Sequence, residues 1–439
     1  RHVRASEARH QPRGEVRGRV EGLPIIDAFF GWNLAEPAHF NQELTIDLGA
    51  CREASVRAAV EAVWVHHDAL RAVVEGNGLL IRGVAEGPAV HFESHPVTDV
   101  DARARTLGAV AAKLHRSMDL AEGPLFKAAW VVDPVGGTLL LCAHHLVIDG
   151  VSWRILADDL TAAVRRAEAH ESVDLPPPSA SLIEWAAALD ANRERIVAEE
   201  HDHWNEVEAR AVKARLPRAA CEPGVLEVEL DAGLSKQILG TAGAAHRTDA
   251  QDLLLAGLTM AVRDVTGNAE VSVRLEGHGR VETAGLPPID RTVGWFTTEY
   301  PVVLPCETDP RRALILVKEL LRKVPNAGFG YGLRPGGLGG LTADIAFNYL
   351  GEIEDFSGAA VGFNTTGQSS SRANQIGHGL AINVLVHAGR VRLQIGHDGT
   401  VLGADGVVGF VRQYERRLGD LTGHCAAVVA SGHIEPTAA

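Results

Sequence analysis

The chain has 439 residues, of which 46% are apolar and 22% charged, and acids outnumber bases 56 to 42 for a formal charge of −14. That length suits two or three ordinary domains or one two-lobed unit, and the composition excludes bulk disorder. The acidic balance argues against a nucleic-acid or anionic-membrane surface, and no apolar run nears the roughly 20 residues of a membrane span.

In chain order, GEVRGRVEGLPIIDAFF (14–30) reads as a strand and turn. Helical spacing of Val56, Val60, Val63, Trp64 and Leu70 predicts a helix within 50–76. LLIRGV (79–84) and VHFESHPV (90–97) read as short strands, and 101–120 as a second helix. Segment 124–150 has the form of a hairpin turning at Pro134-Val135-Gly136-Gly137, and 152–170 is a third helix that Ser152 or Asp149 can cap. Pro176-Pro177-Pro178 is the boundary candidate, dividing the chain into lobes 1–178 and 179–439. Beyond it come a helix over 181–212, a strand at 225–230, a helix at 249–267 and a strand at 270–277. The glycine-dense 325–340 and polar 364–374 read as mobile loops. Period-two alternation on both sides of Ala388-Gly389 predicts a hairpin over 380–399, and a helix over 405–421 closes the chain. Each half mixes strands with helices, so the expected fold class is α+β in two lobes.

The five cysteines are odd in number and widely spaced, with no CxxC pair, which points to a reducing cytoplasm rather than a disulfide framework or zinc knuckle. The Asn364-Thr365-Thr366 sequon has no secretory signal beside it and is read as chance. The opening RHVRASEARHQPRG resembles neither a signal peptide nor a folded element, so a piece of a longer protein is expected. No phosphate loop, dinucleotide fingerprint or GxSxG elbow occurs in the sequence. His66-His67 is read as packing, and His201 and His203, two apart on a helix, do not share a face for a metal.

The sharpest feature is His144-His145-Leu146-Val147-Ile148-Asp149-Gly150, where an apolar strand runs out before a helix. Neighbouring strand side chains point to opposite faces, so one histidine only can serve a given cleft. Imidazole is the group best poised for proton transfer near neutrality. Asp149, at a helix start, is read as structural.

HHxxxDG is similar to the signature of the condensation-domain superfamily of nonribosomal peptide synthetases, relatives of chloramphenicol acetyltransferase. The flanking GVSWRIL resembles its epimerization branch. Six further segments agree in order: LPIIDAFF (23–30), DAQDLLLAGL (249–258), EGHGR (276–280), RTVGWFTTEYPV (291–302), PNAGFGYG (325–332) and FNYLG (347–351). The resemblance implies two acetyltransferase-like lobes in a V-shaped pseudo-dimer with an active site in the tunnel between them. It implies epimerization, L to D, of an aminoacyl or peptidyl thioester on the phosphopantetheine arm of a carrier protein.

Inverting an α-carbon requires two acid/base groups. By this resemblance they are His145 and Glu276, with His144, Asn348 and Tyr349 as candidates to steady the enolate. Asp149 is expected to pair with Arg280. No dissociable cofactor or metal is expected, and the partners are a peptidyl carrier protein and neighbouring synthetase domains, with a monomeric excised domain. Two departures stand out: Val281 replaces the second glutamate of EGHGRE, and the opening segment lacks its usual glutamine and tryptophan. The alternatives are a peptide-bond-forming condensation domain, disfavoured by FNYLG and Glu276, and a catalytically silent docking module.

Overall fold

A computed structural model describes residues 15–86, 89–341, 343–352, 361–363, 369–371, 373–374 and 379–431. The opening 14 residues, the sequon and much of 364–374 lie outside them. The protein forms two compact units. The first runs to Asn192 and takes in Glu282–Phe296 and the described part of 355–374; the second is built from Arg193–Val281, Thr297 onward to 354, and 375 to the end. The units thus divide inside the helix Leu182–Ala211 rather than at the tri-proline connector. The first unit holds 282–296 by specific bonds: Ala180 N–H donates to the Pro288 carbonyl (3.0 Å), Thr292 Oγ1 to Ala180 O (2.5 Å) and Ser179 Oγ to Asp290 Oδ1 (2.7 Å).

Both units are α+β. The first unit's five-stranded sheet is ordered Val361–Phe363, Asn41–Gly49, Gly137–His144, Phe126–Val132, His91–Pro96, antiparallel except for the last pair. Gly137–His144 is buried along its whole length, which explains an apolar run with no alternation. One of its faces packs Leu140 and Cys142 against Val110, Ala111 and Leu114 of the helix Val100–Arg116. A small three-stranded sheet of Gly18–Val20, Gly78–Ile81 and Ala72–Glu75 completes the unit's strands among the described residues.

The second unit's six-stranded sheet is ordered Thr298–Pro305, Glu270–Gly277, Ile345–Glu352, Leu380–His387, Arg390–His397, Gly224–Glu229. The three central strands, from Glu270–Gly277 to Leu380–His387, run parallel, and the outer pairings are antiparallel. A capping box of Asp249 and Asp252 starts the helix Ala250–Thr266, which packs on the long closing helix Gly403–Ala430. Their contact is tight at Gly257, where Leu418 and Tyr414 occupy the space a side chain would need, and Tyr414 donates its hydroxyl to Leu254 O (3.0 Å).

Two segments differ from the sequence expectation. LPIIDAFF carries a helix, Pro24–Gly31, with proline at its first position, because Ile25, Ile26 and Phe29 share one buried face. The segment 325–340 is a packed run of short helical turns, with Phe329, Tyr331, Leu333 and Leu338 buried. Its glycines admit protein rather than leave an open loop: Gly328 lies against the Tyr300 ring and Gly330 against the Glu200 carboxylate. The helix Pro310–Arg322 and the strand Thr298–Pro305 carry no reading in the sequence analysis, although Asp309 caps the former through Arg312 N–H (2.8 Å).

The Pro-Val-Gly-Gly turn of the first unit's hairpin gives a direct test. A Cβ on Gly137 would enter the ring of Trp130, which is buried, and Gly136 lies against the Gly49 backbone. Gly137→Ala is expected to lose about 1–3 kcal/mol of stability by overpacking. Val135→Ala, at an exposed position in the same turn, should stay within about 0.5 kcal/mol; urea unfolding of both variants measures the difference.

Candidate active site

In the first unit, the strand Gly137–His144 ends and the chain turns through His145–Val147 before the helix Gly150–Glu168. The two histidines have different surroundings. His144 is fully buried; its Nδ1 accepts the Leu146 N–H (3.2 Å) and its Nε2 lies 2.9 Å from the Pro37 carbonyl, so Nε2 carries the proton. Both ring nitrogens are engaged by backbone, and burial lowers its pKa to about 4. These bonds leave His144 no N–H to offer an enolate and make it a scaffold for the turn.

His145 differs in having side chains rather than backbone around its ring. Its ring lies between aromatic faces, stacked on Phe40 (centroids 5.4 Å apart) and inclined at 42° to Trp295 (4.3 Å). Burial again dominates and brings its pKa down to about 4, against the opposing pull of nearby backbone carbonyls and Asp149. It is therefore neutral, with one free-base nitrogen, across the neutral range. The flanking rings present negative π faces that favour the imidazolium formed when it accepts a proton. Its Nε2 is 2.7 Å from the side-chain nitrogen of Gln42, whose oxygen accepts from the Trp153 indole (2.9 Å). Gln42 carries no sequence signal, since it is one polar residue on a strand.

Asp149 caps the helix through Ser152 N–H (2.7 Å), and its other oxygen accepts the Phe296 N–H (3.2 Å). Ser152 adds two bonds to Gly294, donating Oγ to the carbonyl (3.0 Å) and accepting the N–H (3.1 Å). The DGVS segment thereby clamps the VGWF segment 142 to 147 residues away, and the clamp seats Trp295 on His145.

In the second unit, Glu276 lies at the end of the strand Glu270–Gly277, and its Oε2 accepts from the Asn348 amide (2.7 Å) on the neighbouring strand. Glu299 sits directly opposite in the antiparallel pairing, so the two carboxyls share a face. Arg274, two residues before Glu276, meets Glu299 at 3.4 Å. Burial, reinforced by the Glu299 charge and only partly opposed by Arg274, raises Glu276 to about 8; burial also raises Glu299. Glu276 is thus protonated at neutral pH and can donate. Glu299 and Arg274 were not singled out in the sequence, because cross-strand pairing is invisible there.

Tyr349 follows Asn348 where the pairing skips to Gly351. Arg280 is partly buried beyond the strand, its backbone N–H bonded to His278 Nδ1 (3.1 Å). Gly277 of EGHGR abuts Thr298 Oγ1, so its missing side chain admits protein.

Two clusters outside these sites collect metal-ligand side chains: Glu43, His115 and Cys142, and His66, His67 and Asp159. Each is held by its own hydrogen bonds, His115 to Glu43 and His67 to Asp159, both at 2.9 Å. Asp159 also binds Arg291 (2.5 Å), and burial with the Glu43 charge pushes the Cys142 thiol well up.

The model of the Condensation domain family matches residues 28–372. Tyrocidine synthase 1 of Brevibacillus parabrevis is 31% identical over 96% of this chain and 42% of its own length. Bacitracin synthase 3 of Bacillus licheniformis is 30% identical over 97% of this chain and 7% of its own. This chain therefore spans well under half the length of these relatives. Among solved structures, the epimerization domain from the third module of tyrocidine synthetase B superposes with a TM-score of 0.84 at 29% identity, over 95% of this chain and all of that one. The first condensation domain of the calcium-dependent antibiotic synthetase shares the fold, with a TM-score of 0.70 at 17% identity over 93% and 96% of the two chains. The chain belongs to the condensation-domain family, and its relatives are nonribosomal peptide synthetases. No helix among the described residues is long and apolar enough to cross a membrane.

Two predictions follow from this geometry. Asp149→Ala removes a helix cap, at about 1 kcal/mol, and takes the carboxylate acceptor away from the buried Phe296 N–H, at about 1–3 kcal/mol. Its melting temperature should fall clearly, with Asp149→Ser recovering the cap share alone. The second concerns linkage: a carboxyl near 8 when folded and near its ordinary 4.5 when unfolded binds more protons in the folded state between those values. Its contribution to stability therefore declines as pH rises from about 4.5 to 8. Glu276→Gln should match the wild type in stability near pH 4 and exceed it increasingly toward pH 9, measured by thermal melts across that range.

Proposed function

We propose that this chain epimerizes the α-carbon of an aminoacyl or peptidyl thioester carried on the phosphopantetheine arm of a carrier protein, using His145 and Glu276 as the two acid/base groups. The observation that carries this reading is the setting of Glu276: its carboxyl accepts the Asn348 amide (2.7 Å) and faces Glu299 on the paired strand, and burial with that charge raises its pKa. The similarity to an epimerization domain along its full length supports it.

In this scheme Nε2 of His145 takes the α-proton, and the C–H electron pair moves into the thioester carbonyl to give an enolate. The enolate collapses as Glu276 delivers its proton to the opposite face of the α-carbon. Imidazolium and carboxylate remain and are reset by proton exchange with solvent. The thioester acidifies its own α-position, so no dissociable cofactor is called on. With His144 bonded to backbone on both nitrogens, the candidate enolate donors are Tyr349, the second amide N–H of Asn348 and backbone N–H groups after His145. The carrier and adjoining synthetase domains are the partners this substrate requires.

The second reading is peptide-bond condensation, favoured by the family model itself; it would use His145 without Glu276. A carrier loaded with an L-aminoacyl group, incubated with this protein in deuterated water, separates the two. Deuterium uptake with D-product is expected, with His145→Ala and Glu276→Gln each lowering the rate by about 10²-fold or more. Dipeptide formed with a second loaded carrier, and no uptake, overturns the proposal, as does a fully active Glu276→Gln. Because the competent form has neutral imidazole and protonated carboxyl, kcat/KM is expected to fall below about pH 4 and above about pH 8.

A further inference from the structure

We propose that Gln42 is a positioning residue that fixes where the proton sits on His145, holding the imidazole with N–H at Nδ1 and the lone pair at Nε2. Its catalytic consequence rests on the reading of His145 as an acid/base group; the placement of the proton does not.

An indole N–H donates and cannot accept. Trp153 Nε1 lies 2.9 Å from Gln42 Oε1, so the oxygen end of that amide is fixed at the indole. The opposite end is then the NH2 group, and it lies 2.7 Å from His145 Nε2. An NH2 group can only donate, so Nε2 must accept and carries no proton. Turning the amide over would set NH2 against the indole N–H and leave donors facing each other, at the cost of unpaired groups. By elimination the single proton of the neutral ring goes to Nδ1, which is buried and makes no hydrogen bond of ordinary geometry among the described residues.

Regular structure supports every member of this relay. Gln42 lies on the strand Asn41–Gly49 and pairs in register with Ala143, two residues before His145. Trp153 is buried in the first turn of the helix Gly150–Glu168. Phe40, two residues before Gln42, accepts the His145 backbone N–H (3.0 Å) and stacks on its ring. The imidazole is therefore located by backbone, by ring stacking and by an amide whose direction a third residue dictates.

The consequence has a definite sign. A donor on the lone pair stabilises the neutral ring relative to imidazolium. Nε2 is capped at rest, and a substrate C–H reaches the base only by displacing that N–H. Gln42→Glu reverses the polarity: a carboxylate keeps the bond from Trp153 but must accept from His145, which draws the proton onto Nε2. Gln42→Leu simply removes the cap.

The test is nitrogen NMR of the full chain labelled with ¹⁵N-histidine, with the His145 signals assigned by their loss in His145→Ala. At neutral pH the wild type is expected to show an unprotonated Nε2 and a protonated Nδ1, and Gln42→Glu to move the proton to Nε2. In Gln42→Leu the His145 titration should move up in pH. In the deuterium-exchange assay Gln42→Glu should lose about tenfold or more in kcat with KM little changed. A wild-type ring protonated at Nε2 overturns the proposal, and so does a Gln42→Glu ring unchanged from the wild type. If the wild-type proton sits as proposed but no deuterium enters substrate, it is the functional reading that fails and not this one.

Discussion

Desolvation acts with opposite sign on an imidazole and on a carboxyl, and the chemistry available to this protein depends on that opposition. On an open surface a histidine titrates near 6.5 and a glutamate near 4.3. One would be partly charged and the other fully ionised at neutral pH. Here burial moves His145 down to about 4 and Glu276 up to about 8. Both become neutral, which makes one a base with a lone pair and the other an acid with a proton. The sheet arrangement produces the effect: each group lies where a strand with sheet neighbours on both sides ends, His145 directly after Gly137–His144 and Glu276 near the end of Glu270–Gly277. Local charge completes it in the second unit, where one guanidinium, Arg274, serves two facing carboxyls and approaches Glu299 at 3.4 Å.

The HHxxxDG motif divides into a small chemical part and a larger mechanical one. Only His145 keeps a ring nitrogen whose partner is a displaceable side chain. His144 has both nitrogens on backbone and fixes the turn that presents its neighbour. Asp149 caps a helix with one oxygen and holds Phe296 with the other, while Ser152 grips Gly294. The motif thus determines what surrounds His145, because the segment it grips carries Trp295 onto that ring. A sequence element 142 residues away becomes part of the first unit's site through backbone hydrogen bonds rather than through any chemistry of its own.

That coupling also marks what the sequence could and could not disclose. The strand ending in tandem histidines, the helix after it and the strand ending at Glu276 were legible, because continuous apolar runs and caps are local signals. LPIIDAFF, within a segment whose sequence reads as a strand and turn, is too short an apolar run to show a decisive period, and its burial is one-sided and helical. Gln42, Arg274 and Glu299 escaped because their importance lies in register: Gln42 opposite Ala143, Glu299 opposite Glu276. No one-dimensional pattern carries that pairing. The compact units divide within the helix Leu182–Ala211 rather than at Pro176–Pro178 for a related reason: 282–296 bonds to residues more than 100 positions earlier.

The distinction between epimerization and condensation turns on why a protein would keep a carboxyl neutral. A buried glutamic acid is costly wherever it ionises, and the simplest remedy is a counter-ion. Arg274 lies on the same strand, two residues away and on the same face, but it is shared with Glu299 and opposes the rise of Glu276 only in part. Glu299 stands across the pairing as a competing anion, and Asn348, which cannot neutralise charge, provides the hydrogen bond. A one-base reaction gains nothing from this arrangement, since its only demand is an accepting nitrogen. A reaction that removes a proton from one face of a carbon and supplies another to the opposite face needs a donor that is still protonated when the base is free. The arrangement around Glu276 supports that role because it raises the carboxyl's proton affinity at a position where charge neutralisation would have been the cheaper solution for stability alone.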